Sequence, residues 1–172
     1  MKAFSLYEPI MFHYKTTNLV SGVFGKVHHI HYNNTPIHKK YALALKANIP
    51  NLLKNKTYIA TTDMKGNFRY IGGVWMNDFL KTTTKKFGNF CIIADTTNPE
   101  IKAVNIFPGK SLTAQTTIQL IIKDRQSGIK HYRGEIDDKW ILLDYDYKNN
   151  LLHFDIEQNI TQGQHIFTLS VV

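Results

Sequence analysis

Asp124-Arg125-Gln126-Ser127-Gly128-Ile129 is a turn sequence set between strand-like runs, and its reading decides the fold class. Before it, Thr117-Ile118-Gln119-Leu120-Ile121-Ile122 is rich in β-branched residues, which fit a pleated, half-buried surface. After it, Ile129 to Ile136 reads as a second strand and Asp137-Asp138 as a tight turn. Lys139 to Tyr145 forms a third run built on Trp140, Ile141, Leu142 and Leu143, and its apolar density predicts a core position for Trp140. Leu151 to Ile156 alternates Leu152, Phe154 and Ile156 against His153 and Asp155, a period of two with one buried face. Phe167, Leu169 and Val171 then interleave with Ile166, Thr168 and Ser170. Turn signals recur about every 10 residues, the spacing of an all-β sandwich.

The first half carries the same grammar less clearly. Tyr41, Leu43 and Leu45 alternate with Ala42, Ala44 and Lys46. Thr57–Thr62 and Asn67–Tyr70 flank Lys65-Gly66 as a hairpin, and Gly72-Gly73 marks a bend or bulge. No stretch has a 3.6-residue apolar period, so helix is expected to be scarce. Asp95-Thr96-Thr97-Asn98-Pro99 is the expected boundary, since Asn-Pro is a turn dipeptide and proline biases its predecessor towards extended backbone. The expectation is an all-β chain of two domains: residues 1–97, basic, and residues 98–172.

With 172 residues the chain is long enough for a buried core. Its charge is uneven. Residues 1–97 hold 13 Lys and Arg against 4 Asp and Glu, while residues 98–172 hold 8 against 9, for a total of +8. A basic half of this kind points to an anionic partner such as nucleic acid, anionic lipid or a cell-wall polymer. Cys91 is the single cysteine, which excludes an intrachain disulfide and a cysteine-built zinc site. Within Phe90-Cys91-Ile92-Ile93 it reads as a buried, inert thiol. No run reaches the ~20 apolar residues of a membrane helix. The residues after Lys2 include Glu8 and Pro9 rather than a signal-peptide core, so an export signal is expected upstream, if at all.

Several groups of residues invite chemistry. In a regular strand His29 and His31 point to the same side, and two imidazoles so placed can bind zinc with a third ligand. A catalytic site also needs an activated water and a base, which no neighbouring motif supplies, so a cluster of strand histidines is the preferred reading. Asp144-x-Asp146 resembles the start of a calcium loop, but Asn149 stands where that loop needs glycine, which favours a plain turn. His38-Lys39-Lys40-Tyr41 and Lys85-Lys86-Phe87 mix charge with rings, as single-strand nucleic-acid binders do. The RNP pattern and a recognition helix are missing, which disfavours nucleic acid. Trp75 is a candidate sugar-stacking platform. No Gly-x-Ser-x-Gly, P-loop or dinucleotide fingerprint is present. The chain reads as a non-enzyme without a cofactor.

Taken in order, Tyr7-Glu8-Pro9-x-x-Phe12, His28-His29-Ile30-His31, Thr35-Pro36-Ile37-His38, Gly72-Gly73-Val74-Trp75 and Phe87-Gly88-Asn89-Phe90 resemble the region C-terminal to the peptidase domain of M23-type zinc metallopeptidases of Bacteroidetes. Asp124-x-x-Ser127-Gly128-Ile129, Lys139-Trp140 and Gly163-x-His165 extend the resemblance through the second half. It implies tandem immunoglobulin-like β-sandwich domains, an upstream peptidase domain, and a place in the periplasm or cell envelope. The peptidase's His-x-x-x-Asp motif is absent, and His29-Ile30-His31 matches its His-x-His by letters alone, so no zinc-ligand role is carried over. Relatives continue past the final strand, so the second domain is expected to be truncated at Val171-Val172. The implied role is to position a peptidase on peptidoglycan or dock it on another envelope protein. The expected ligand-facing residues are Lys39, Lys40, Trp75, Lys85 and Lys86. The alternatives are a zinc-dependent hydrolase using His29 and His31, and a structural spacer without a ligand.

Overall fold

A computed structural model describes residues 5–18, 21–63, 65–156 and 160–172. The chain divides into two compact units, Met1–Thr96 and Thr97–Val172. Among the described residues both are all-β apart from one four-residue helix, α1 (Asn51–Lys54). Each unit holds two antiparallel sheets in a sandwich-like arrangement.

The first unit contains β1 (Tyr14–Thr17), β2 (Val23–Ile30), β3 (Tyr41–Lys46), β4 (Thr57–Thr62), β5 (Phe68–Gly72), β6 (Val74–Met76), β7 (Phe79–Thr84) and β8 (Gly88–Ala94). One sheet has the order β1-β2-β8-β4-β5 and the other β3-β7-β6. The alternation in β3 works as its sequence reads: Tyr41, Leu43 and Leu45 are buried and the residues between them exposed. They pack with Ile59, Leu80, Phe90 and Ile92 in the main core. Phe90, Ile59 and Leu80 have no exposed surface, and each such burial contributes about 1.5–3 kcal/mol. Strands β4 and β8 are buried on both faces, because Tyr58, Ala60, Cys91 and Ile93 join Val23 and Val27 in a second cluster. Burial pushes the Cys91 thiol up to about 12, which leaves it protonated and unreactive.

Two irregularities shape this sheet. The β2–β8 register shifts between Phe24 and His28, with Gly25 at φ +79°. A Cβ there would sit 3.3 Å from the Ala47 Cβ, so the bulge needs glycine for its backbone angle and for space. Gly72 lies at a second shift, between Ile59 and Ala60 of β4.

The second unit contains β9 (Glu100–Ala103), β10 (Thr117–Lys123), β11 (Tyr132–Ile136), β12 (Lys139–Ile141), β13 (Asp144–Asp146), β14 (Leu151–Asp155) and β15 (Phe167–Val171). Its sheets run β13-β14-β10-β9 and β12-β11-β15. Ile118 and Leu120 of β10 lie beside Phe154 and Leu152 of β14 on one sheet face, and with Ile122 and Leu143 they form one core. The turn after β10 is held by Asp124, whose Oδ1 accepts the N–H groups of Gln126 at 2.7 Å and Gly128 at 3.0 Å. Asp146 does the same for Lys148 and Asn149, so its carboxylate serves a turn.

One sequence expectation fails here. Lys139–Tyr145 is two strands rather than one, β12 and β13, and they belong to different sheets. At the crossing Leu143 turns into the core while Leu142 stays exposed. Trp140 lies on the outer face of β12 and is 59% exposed, so it is no core residue. An apolar run that changes sheets does not keep a single buried face.

Candidate functional site

Antiparallel pairing brings three loops of the first unit to one end. Ile30 at the end of β2 pairs with Gly88 at the start of β8, and Thr62 at the end of β4 pairs with Phe68 at the start of β5. The loops that follow β2, β4 and β7 therefore border a common space. It is an open groove of about 640 Å³, with His31, Tyr32, Asp63, Asn67, Arg69 and Phe87 among its walls.

The same pairing gathers the lysines. The β3–β7 ladder ends on the rung Tyr41↔Thr84. Lys39 and Lys40 immediately precede that rung on one strand, and Lys85 and Lys86 immediately follow it on the other. All four are exposed, and among the described residues none forms an ion pair. The backbone beneath them is fixed. The Tyr41 hydroxyl donates to the Lys86 carbonyl at 3.0 Å, and the Lys86 N–H donates to Thr84 Oγ1 at 3.2 Å. Burial pushes the Tyr41 hydroxyl up to about 12, so it stays protonated as a donor.

A ring cluster joins the groove to the N-terminal segment. Phe87 is buried and meets Phe12, His31 and Tyr41 at ring-centroid distances of 6.1, 5.1 and 5.6 Å. His31 stacks on His13 at 5.7 Å and touches Tyr32 at 4.9 Å. The His31 N–H donates to the His13 carbonyl at 2.8 Å, and Leu6 bridges to Ile37. Residues 5–13 are thereby held along the loop that carries Lys39 and Lys40.

The expected pairing of His29 with His31 on one strand face is overturned. Strand β2 ends at Ile30, and His31 takes φ +52°, which breaks the alternation. Both nitrogens of His29 are already engaged. Nδ1 faces Asn89 Oδ1 at 2.7 Å and Nε2 faces Thr17 Oγ1 at 2.9 Å. A neutral ring that donates from Nδ1 and accepts at Nε2 satisfies both contacts and keeps no lone pair for a metal. Among the described residues no group of three or more His, Cys, Asp or Glu is placed to hold a metal ion.

Trp75 is held apart from the lysines. It pairs with Leu80, which pairs with Leu45, four residues or about 13 Å along the ladder from Tyr41. Its indole N–H lies 2.9 Å from both the Lys54 carbonyl and Thr57 Oγ1, and the Lys54 ammonium sits 5.0 Å over the ring. That is the setting of an anchored, half-buried indole rather than an open platform. Arg69 and Tyr32 carry no signal in the sequence: each is an isolated residue in its own strand edge or loop, and only the three-dimensional meeting of the loops brings them to one groove.

Residues 2–95 match the Zu5-like domain, and the chain belongs to that family. Such a domain is generally non-catalytic. No curated protein and no solved structure matches the chain. Nothing in these comparisons ties it to M23-type peptidases.

Proposed function

We propose that this chain is a non-catalytic binding module of the cell envelope that holds an anionic polymer, peptidoglycan in the first instance, at the basic end of residues 1–96. The observation that carries this reading is the gathering of Lys39, Lys40, Lys85 and Lys86 around one rung of the β3–β7 ladder without a carboxylate partner among the described residues. Like charges so close together destabilise the free protein slightly and are relieved by an anion. Peptidoglycan stems carry carboxylates and meet that need. The resemblance quoted for the sequence adds a context: an accessory region, of immunoglobulin-like sandwiches, that positions an M23-like metallopeptidase in the periplasm or envelope. Trp75 has no part in this surface. Mixing the chain with purified peptidoglycan at low salt and sedimenting it tests the proposal; the protein is expected in the pellet, and its retention in the supernatant counts against the reading.

A further inference from the structure

We infer that the groove beside the lysines takes a sugar unit bearing a carboxylate, with the Tyr32 ring under the sugar face and the Arg69 guanidinium on the acid. This deepens the anionic-polymer reading and rests on it for the claim that such units arrive as part of a chain, here a glycan strand whose muramyl carboxylates are free of stem peptides. At about 640 Å³ the groove lies within the usual range of small-ligand sites and suits one or two sugar rings. Tyr32 is 57% exposed, yet it is buttressed by His31 at 4.9 Å and His13 at 5.1 Å. An exposed ring held in place is a stacking surface whose ordering cost is already met by the fold.

The polar groups point to an acid. Among the described residues Asp63 is the one carboxylate on the groove, and it is consumed by its own turn. Its Oδ1 accepts the N–H groups of Lys65 at 2.8 Å and Asn67 at 3.2 Å, and its Oδ2 accepts Asn67 Nδ2 at 2.6 Å. Arg69 is exposed on the edge strand β5 and has no ion pair among the described residues. Among the described residues it is the free planar cation of the groove, and guanidinium matches carboxylate with two parallel hydrogen bonds. Lys85 and Lys86 directly precede the groove residue Phe87, so a chain leaving the groove passes over further positive charge.

The test uses the full chain and two soluble probes of similar size: the disaccharide of N-acetylglucosamine with N-acetylmuramic acid, which carries one carboxylate, and chitobiose, which carries none. Titration followed by amide NMR is expected to shift residues around Tyr32 and Arg69, with the acidic probe binding about tenfold tighter, the factor expected of one charge-assisted contact. Arg69→Gln is expected to bring the two probes close to equal affinity, and Tyr32→Ala to weaken both. Equal binding of the two probes by the unaltered chain overturns the inference, as does tighter binding of oligothymidylate than of the acidic disaccharide. The failures are separable. Sedimentation with peptidoglycan alongside a groove blind to the disaccharide sinks this inference and spares the lysine surface. Disaccharide binding without sedimentation does the reverse.

Discussion

Gly134 gives the sharpest prediction about packing. It lies mid-strand in β11, opposite Ile141 on one side and Leu169 on the other. A Cβ built there meets Leu143 Cδ1 at 2.5 Å, Leu143 Cγ at 3.0 Å and Ile141 Cγ1 at 3.2 Å. Leu143 is buried and belongs to the core, so it cannot swing into solvent. Overpacking of this kind costs about 1–3 kcal/mol, against which alanine recovers about 0.5–1 kcal/mol of backbone entropy. The net for Gly134→Ala is a loss of about 1–2 kcal/mol. For a unit of this size that lowers the melting point by roughly 5–15 °C. Thermal unfolding followed by circular dichroism, with urea titration for the free energy, reads it. The Gly134→Ala/Leu143→Val double variant removes the offending carbon and is expected to be more stable than the sum of its single changes by about 1 kcal/mol. A neutral or stabilising Gly134→Ala, or strict additivity in the cycle, refutes the packing described for this sheet.

Two further outcomes concern anchoring and charge. Trp75→Phe keeps the ring but removes the N–H shared by the Lys54 carbonyl and Thr57 Oγ1, and is expected to cost about 1–2 kcal/mol in urea unfolding. His165 Nδ1 lies 2.6 Å from Asp137 Oδ2 and Nε2 lies 2.7 Å from the Thr161 carbonyl, so both nitrogens face acceptors and the imidazolium is favoured. The hydrogen bond to Asp137 raises the His165 pKa, and the bond from His165 lowers that of Asp137. The histidine's contribution is complete below about pH 6.5 and is lost as pH rises through its raised folded value. The aspartate's is present above about pH 3.9 and is lost as pH falls through its lowered folded value. Stability from this pair is therefore greatest between those limits, and His165→Gln is expected to flatten the alkaline limb of a melting-point profile.

The all-β class was legible because it is written in local alternation. Leu152 and Phe154 against His153, or Leu43 and Leu45 against Ala44, need no partner to be read. Trp140 was misread because local density does not say when a strand leaves its sheet; Leu142 and Leu143 lie side by side and end on opposite sides of that corner. His31 was misread because a non-glycine residue at positive φ leaves no signature in the letters. The lysine pairs were visible as charges, but they are separated by more than 40 residues of chain. Their meeting depends on the non-local β3–β7 register, and the groove depends on three loops arriving at one sheet end.

The most direct measurement is sedimentation with purified peptidoglycan across a salt series, comparing the native chain with a variant in which Lys39, Lys40, Lys85 and Lys86 are all glutamine. These side chains are exposed, so the variant is expected to fold and to melt as the native chain does. The predicted result is pelleting of the native chain that fades as salt rises, with little pelleting of the variant at any salt. Equal pelleting of the two proteins, or none by the native chain at low salt, contradicts the assignment of this surface.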